Sequence, residues 1–120
     1  MRVVLCDDHA LFAEAMASAL RSRGVDVVAV SSEPALAVVV AAALAPDVCL
    51  MDVGFPGEDG IAAIDRILSA SPHTCVVMCS ACSDRPTIAG ALEAGARGYF
   101  SKTLDLAVIV SGLDRVMQGE

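Results

Sequence analysis

Short, nearly unbroken apolar runs alternate along this chain with stretches whose apolar positions recur every three or four residues. Arg2 to Cys6 is a compact apolar run that stops at Asp7-Asp8. His9 to Arg23 carries Phe12, Met16 and Leu20 at i, i+4 and i+8, with Gly24 behind them, the spacing of a helix closed by glycine. Val25 to Val30 is rich in β-branched residues and reads as a strand. Glu33 to Ala45 reads as a helix with Pro34 in its first turn, where a missing N–H is harmless, and Pro46 ends it. Asp47 to Met51 is a third strand, followed by a loop rich in Gly and Pro from Asp52 to Gly60. Ile61, Ile64, Ile67 and Leu68 mark the next helix face. Thr74 to Ser80 is a strand, Asp84 to Ala94 a helix with Pro86 early and Gly95 at its end, Gly98 to Ser101 a short strand and Thr103 to Met117 a last helix.

Strands alternating with helices predict βαβ units, a parallel sheet and right-handed crossovers. Strands this apolar are expected to be covered on both faces, so the expected object is a five-stranded, doubly wound α/β sandwich. The length of 120 residues predicts one domain. With 56% hydrophobic and 19% charged residues, disorder is excluded. The apolar run Pro34 to Pro46 is too short for a membrane span, which needs about 20 residues, and no signal peptide is visible. The net charge of −7 predicts repulsion from a phosphate backbone, so the chain is not expected to bind nucleic acid or membrane directly. Five cysteines are an odd number, and Cys6, Cys49, Cys75 and Cys79 fall in predicted strands, which predicts small buried thiols in a reducing, cytoplasmic setting rather than a disulfide framework.

In open parallel sheets, ligands bind beyond the carboxyl ends of the strands. Asp7 and Asp8 follow the first strand, Asp52 the third and Lys102 the fifth, while Ser80 ends the fourth. Lys102 is the only lysine; the other seven basic residues are arginines. Carboxylates gathered at one edge repel one another unless a cation joins them, and oxygen ligands suit Mg²⁺. An ionised aspartate beside such an ion and an ammonium can attack phosphorus, with Lys102, the Ser80 hydroxyl and backbone N–H groups meeting the charge of the transferred group. Taken singly, Asp8-His9 reads as a helix cap, Ser80 as a strand-end serine and Asp52 as a loop aspartate; their coincidence at one sheet edge carries the reading.

The segments Val4-Leu5-Cys6-Asp7-Asp8-His9, Leu50-Met51-Asp52-Val53-Gly54-Phe55-Pro56-Gly57-Glu58-Asp59-Gly60, Met78-Cys79-Ser80-Ala81 and Ala91 to Lys102 resemble those of response-regulator receiver domains of bacterial two-component signalling. The Asp-Asp-His opening and Gly95-Ala96-Arg97-Gly98-Tyr99-Phe100 are most similar to the NarL/FixJ subfamily, whose usual output is a LuxR-type helix-turn-helix. The resemblance implies a flavodoxin-like (βα)5 fold with strand order 2-1-3-4-5, residues 1–120 forming the receiver and a DNA-binding output domain lying outside this chain. It implies that Asp52 accepts a phosphoryl group from a sensor histidine kinase. Asp7, Asp8, Asp52 and the backbone carbonyl of Gly54 would then hold Mg²⁺, and Ser80 and Lys102 would contact the phosphoryl oxygens. Ala81 is small, as access requires, and Tyr99 falls at the switch aromatic. Phosphorylation would alter the face of helix 4, strand 5 and helix 5, through which a homodimer could form. Two alternatives are a pseudo-receiver that binds partners without phosphorylation and a Mg²⁺-dependent aspartyl-phosphate hydrolase, although Gly54 stands where such hydrolases place a second aspartate.

Some positions lie off this pattern. Thr103 follows Lys102 where many receivers have proline after a cis bond, which puts that loop's geometry in question. Gly54 and Cys82 are both small and predict easy access of water to an acyl phosphate. Cys79-Ser80-Ala81-Cys82 spells C-x-x-C, read here as packing rather than redox chemistry. His9 is expected to cap or face solvent rather than to bind metal, and no role is assigned to His73. Helix 2 lacks polar residues from Ala35 to Ala45 and must expose apolar ones. Leu106, Ile109, Val110, Leu113 and Val116 are expected to cover a core face and a second one. Gly90 should weaken helix 4 by about 1 kcal/mol relative to alanine.

Overall fold

The structure is a computed structural model that describes residues 1–118 apart from 56, 82 and 83, with the backbone alone at residue 58. Strands β1 (Arg2–Cys6), β2 (Asp26–Ser31), β3 (Val48–Met51), β4 (Cys75–Ser80) and β5 (Gly98–Ser101) form one parallel sheet in the order β2-β1-β3-β4-β5. Helices α1 (Ala10–Ser22), α2 (Pro34–Leu44), α3 (Gly60–Ala70), α4 (Arg85–Ala94) and α5 (Leu106–Met117) alternate with them. The fold is the expected flavodoxin-like one, and its topology follows from the alternation of strand and helix patterns.

Strand side chains point alternately to the two faces, so each strand feeds two cores. Val3 and Leu5 of β1 pack with Met16 and Leu20 of α1 and Ile109, Val110, Leu113 and Val116 of α5. Val4 and Cys6 pack on the other side with Ala37 and Ala41 of α2, Ile64 and Ile67 of α3, and Ala91 of α4. Full burial of such Val, Leu and Ile side chains stabilises by about 1.5–3 kcal/mol each. The layers are unequal: Ala91 is the single buried residue of α4 among those described, with Ala94 partly buried against the same core.

Three regions differ from the sequence expectation. The predicted loop from 52 to 60 contains a two-residue antiparallel hairpin, Gly54–Phe55 against Glu58–Asp59, which buries Phe55 beneath it. The last helix starts at Leu106 rather than Thr103. The Ser101 hydroxyl and carbonyl accept the N–H groups of Thr103 and Leu104 at 3.2 and 3.1 Å, and this turn delays the helix. The Lys102–Thr103 bond is trans, as are all peptide bonds among the described residues. Finally, the five apolar residues of α5 do not divide between two faces. Ile109, Val110, Leu113 and Val116 are all in the core and Leu106 packs against it, while the outward apolar residues are Val108 and Met117. The apolar outer face expected for α2 is present, with Leu36 and Val39 exposed.

Candidate functional site

The sheet ladder runs one residue past the strand ends and fixes the backbone of the site. The Asp7 N–H donates to the Ser31 carbonyl at 3.0 Å, the Asp52 N–H to Cys6 at 3.0 Å, and the Lys102 N–H to Ser80 at 2.9 Å. Three residues from three strands are thereby held in register at one edge.

Their side chains converge. The Lys102 ammonium lies 2.7 Å from Asp7 Oδ2 and 3.0 Å from Asp52 Oδ2. Asp52 and Asp7 are buried, 4% and 7% exposed, and Lys102 retains 12%. The Val53 N–H donates to Asp52 Oδ1 at 2.7 Å, so both Asp52 oxygens are engaged. Burial alone pulls the Lys102 ammonium down, but hydrogen bonds and charges from Asp7 and Asp52 outweigh it and leave its pKa raised. The Phe12 ring centroid stands 4.6 Å from the ammonium and walls the site from the α1 side.

One oxygen each from Asp7, Asp8 and Asp52 and a ring nitrogen of His9 lie within 4.8 Å of one another. Hard carboxylate oxygens at this spacing are a donor set that fits a small divalent cation. Ser80 is buried at the end of β4, beside Lys102 through the backbone bond above. Gly54 pairs with Asp59 in the hairpin, is exposed, and has open space where a side chain would go. Ala81 is exposed. Tyr99 is half-buried against the α2–α3–α4 side, away from α1 and α5. Cys82 lies outside the described residues.

Two features of the site escaped the sequence reading. Asp59 caps α3, its Oδ1 accepting the Ile61 N–H at 2.9 Å, and Gly60 then opens the helix directly against the Asp52 carbonyl, leaving no room for a Cβ. The glycine that closes the 52–60 loop is therefore a support of Asp52, a signal visible in sequence only as one more loop glycine. The second feature is His9. It occupies the N-cap position of α1 but its side chain makes no cap hydrogen bond. Its Nδ1 lies instead 2.9 Å from Asp7 Oδ1 and 3.0 Å from Lys102 Nζ, so of the two expected roles capping fails, while the side chain is largely exposed as the solvent-facing alternative has it.

The cysteines pack as expected. Cys6, Cys49, Cys75 and Cys79 are buried thiols outside any disulfide, and Cys6 Sγ accepts a hydrogen bond from the Ser31 hydroxyl at 3.4 Å. Burial pushes the Cys49 and Cys75 thiols up, and that of Cys79 to about 12, with Lys102 opposing and Asp7 and Asp52 adding to the rise. A raised thiol stays protonated at neutral pH and is a poor nucleophile. Alkylation of the native protein, mapped by peptide mass, should leave these four unmodified until denaturant is added; rapid native labelling of Cys79 would contradict the packing.

Residues 3–114 match the response regulator receiver domain family, and the chain belongs to it. The protein is thus a signalling module of the two-component response-regulator class. It is 34% identical over 121 residues to the response regulator GacA of Pseudomonas viridiflava, covering 100% of this chain and 56% of that protein. It is 33% identical over 120 residues to the transcriptional regulatory protein LnrK of Bacillus subtilis, covering 99% and 54%. The chain thus spans about half the length of these relatives, whereas it covers 96% of the chemotaxis protein CheY of Thermotoga maritima at 28% identity. Among solved structures, the signal receiver domain of NarL from Mycobacterium tuberculosis superposes with a TM-score of 0.93 at 34% identity, over 99% of this chain and 97% of that one. Among the described residues, no helix is long and apolar enough to cross a membrane.

Proposed function

We propose that this receiver carries its signal as a phosphoryl group on Asp52, taken from a phosphohistidine of a sensor kinase. The observation that carries the reading is a buried Asp52 carboxylate whose Oδ2 faces the chain's only lysine at 3.0 Å within an acidic cluster. An Asp52 oxygen forms a bond to phosphorus while the phosphorus–nitrogen bond breaks. Its electron pair stays on the departing imidazole. Asp7, Asp8, Asp52 and the Gly54 carbonyl would hold Mg²⁺, which when bound supplies positive charge to the phosphoryl oxygens. Lys102 and the Ser80 hydroxyl contact the same oxygens, and removal of one such donor costs roughly 10²-fold in rate. The chain turns over no external substrate in this reading.

Ser80 then moves toward the phosphoryl group, Tyr99 follows, and the α4–β5–α5 face changes its preference for a partner or a second copy. Support comes from the shallow seating of α4, which buries Ala91 and only part of Ala94 among the described residues, with Gly90 in its interior. An equilibrium between two placements of such a helix can be shifted by a few kcal/mol of differential contact. Relatives named as transcriptional regulators support a DNA-binding output domain joined to this receiver in a longer protein, and the buried, reduced thiols support a cytoplasmic setting.

Incubation with Mg²⁺ and a small-molecule phosphodonor should add one phosphoryl mass to the intact chain, and the Asp52→Asn variant should stay unmodified. A wild-type chain that remains unmodified, or an equally modified variant, would overturn the proposal.

A further inference from the structure

We propose that His9 is a nitrogen ligand of the divalent ion at the acidic cluster, so that the site favours first-row transition ions over Mg²⁺. This rests on the reading of Asp7, Asp8 and Asp52 as a metal site. The His9 side chain is 62% exposed, yet its Nδ1 is turned inward, 2.9 Å from Asp7 Oδ1 and 3.4 Å from both Asp8 Oδ1 and Asp52 Oδ2. The Lys102 ammonium is 3.0 Å away on the remaining side.

Either placement of a proton on this nitrogen meets one neighbour and opposes another. If Nδ1 carries hydrogen, it donates to Asp7 but has the Lys102 ammonium beside it with no lone pair to offer. If it does not, its lone pair accepts from Lys102 but confronts three carboxylates. A cation among the four atoms removes the conflict. In octahedral coordination with bonds of about 2.1 Å, neighbouring ligand atoms stand about 3 Å apart, close to the spacing of Nδ1 from the three oxygens. An imidazole among carboxylates changes the ion preferred. Mg²⁺ takes hard oxygen donors, whereas first-row divalent ions also accept imidazole. His9 has no cap bond to break, and only its Nδ1 contacts with Asp7 and Lys102 give way to an ion.

Pulsed electron paramagnetic resonance on the Mn²⁺-loaded chain reads the ligand directly. The chain has two histidines, and His73, preceding β4, lies at the opposite edge of the sheet. Labelling histidine alone with ¹⁵N therefore isolates His9 without any substitution. We expect directly bound ¹⁴N modulation in the unlabelled chain, its replacement by ¹⁵N coupling on labelling, and its loss in His9→Gln. By calorimetry, His9→Gln should lower Mn²⁺ affinity about tenfold, the order found when a metal site loses one supporting group, and change Mg²⁺ affinity less than about twofold. Mn²⁺ bound without histidine coupling, or both affinities falling together, overturns the role of His9 and leaves the carboxylate site standing. Failure of the wild-type chain to bind either ion overturns both.

Discussion

Gly60→Ala should lower stability by about 3 kcal/mol and leave Asp52 a poor phosphoacceptor, although alanine is the better helix former. The two effects can be weighed. Exchange of glycine for alanine inside a helix gains at most about 1 kcal/mol, and less at the first position. Against it stands a Cβ that would overlap the carbonyl oxygen of Asp52, with the Asp52 carbon and the Val53 Cα also close. The obstacle is backbone, not the end of a flexible side chain, so relief requires α3 or the end of β3 to move. Neither moves freely: the Gly60 N–H donates to the Val53 carbonyl at 2.8 Å, and the Asp52 N–H is tied to Cys6. Small domains have only about 5–15 kcal/mol of stability in all, so the loss should appear as a clear fall in the urea midpoint. The phosphodonor assay, run where the variant remains folded, should show the second effect. An unchanged or raised midpoint would mean that Gly60 tolerates a side chain.

The fold was legible because each signal was local and repeated. Strand–helix alternation, the prolines opening α2 and α4, and Gly95 ending α4 each reflect a rule acting within a few residues. Asp7, Asp52 and Lys102 were legible for a different reason: parallel strands all deliver their carboxyl ends to one edge, so residues just after strands must meet there. What stayed hidden depends on approaches between segments. Gly60 looks like any loop glycine until the hairpin brings it onto the Asp52 carbonyl. His9 sits where caps sit, and only its side-chain torsion decides whether it faces the α1 backbone or the carboxylates. The delayed start of α5 follows from the Ser101 side chain taking a backbone N–H, a competition with helix that no hydrophobic period records. The misreading of α5 has the opposite origin: a broad apolar arc suggests two faces, but a helix packed against both the sheet and α1 can bury a broad arc in one core.

Lys102→Met should destabilise the protein by about 3 kcal/mol in divalent-free buffer and much less when Mg²⁺ is added. Methionine keeps an apolar stem against Phe12 and removes the charge. That leaves Asp7 and Asp52 buried at 7% and 4% exposure without the cation that lies 2.7 and 3.0 Å from them. Breaking a buried ion pair from one side costs about 3–5 kcal/mol, because the remaining charge is still desolvated. Divalent cations offer the same compensation from outside the chain, so they should stabilise the variant more than the wild type. The dependence on pH has a definite sign. Because the folded-state pKa of Lys102 is raised, its contribution is fully present below the ordinary lysine value of 10.5 and is lost as pH rises through the higher folded value. The stability gap between wild type and variant should therefore hold at neutral pH and close only in strong alkali. Urea titrations with and without Mg²⁺ decide the matter. A midpoint unaffected by the substitution in divalent-free buffer would mean that the two carboxylates are compensated by something other than this amine.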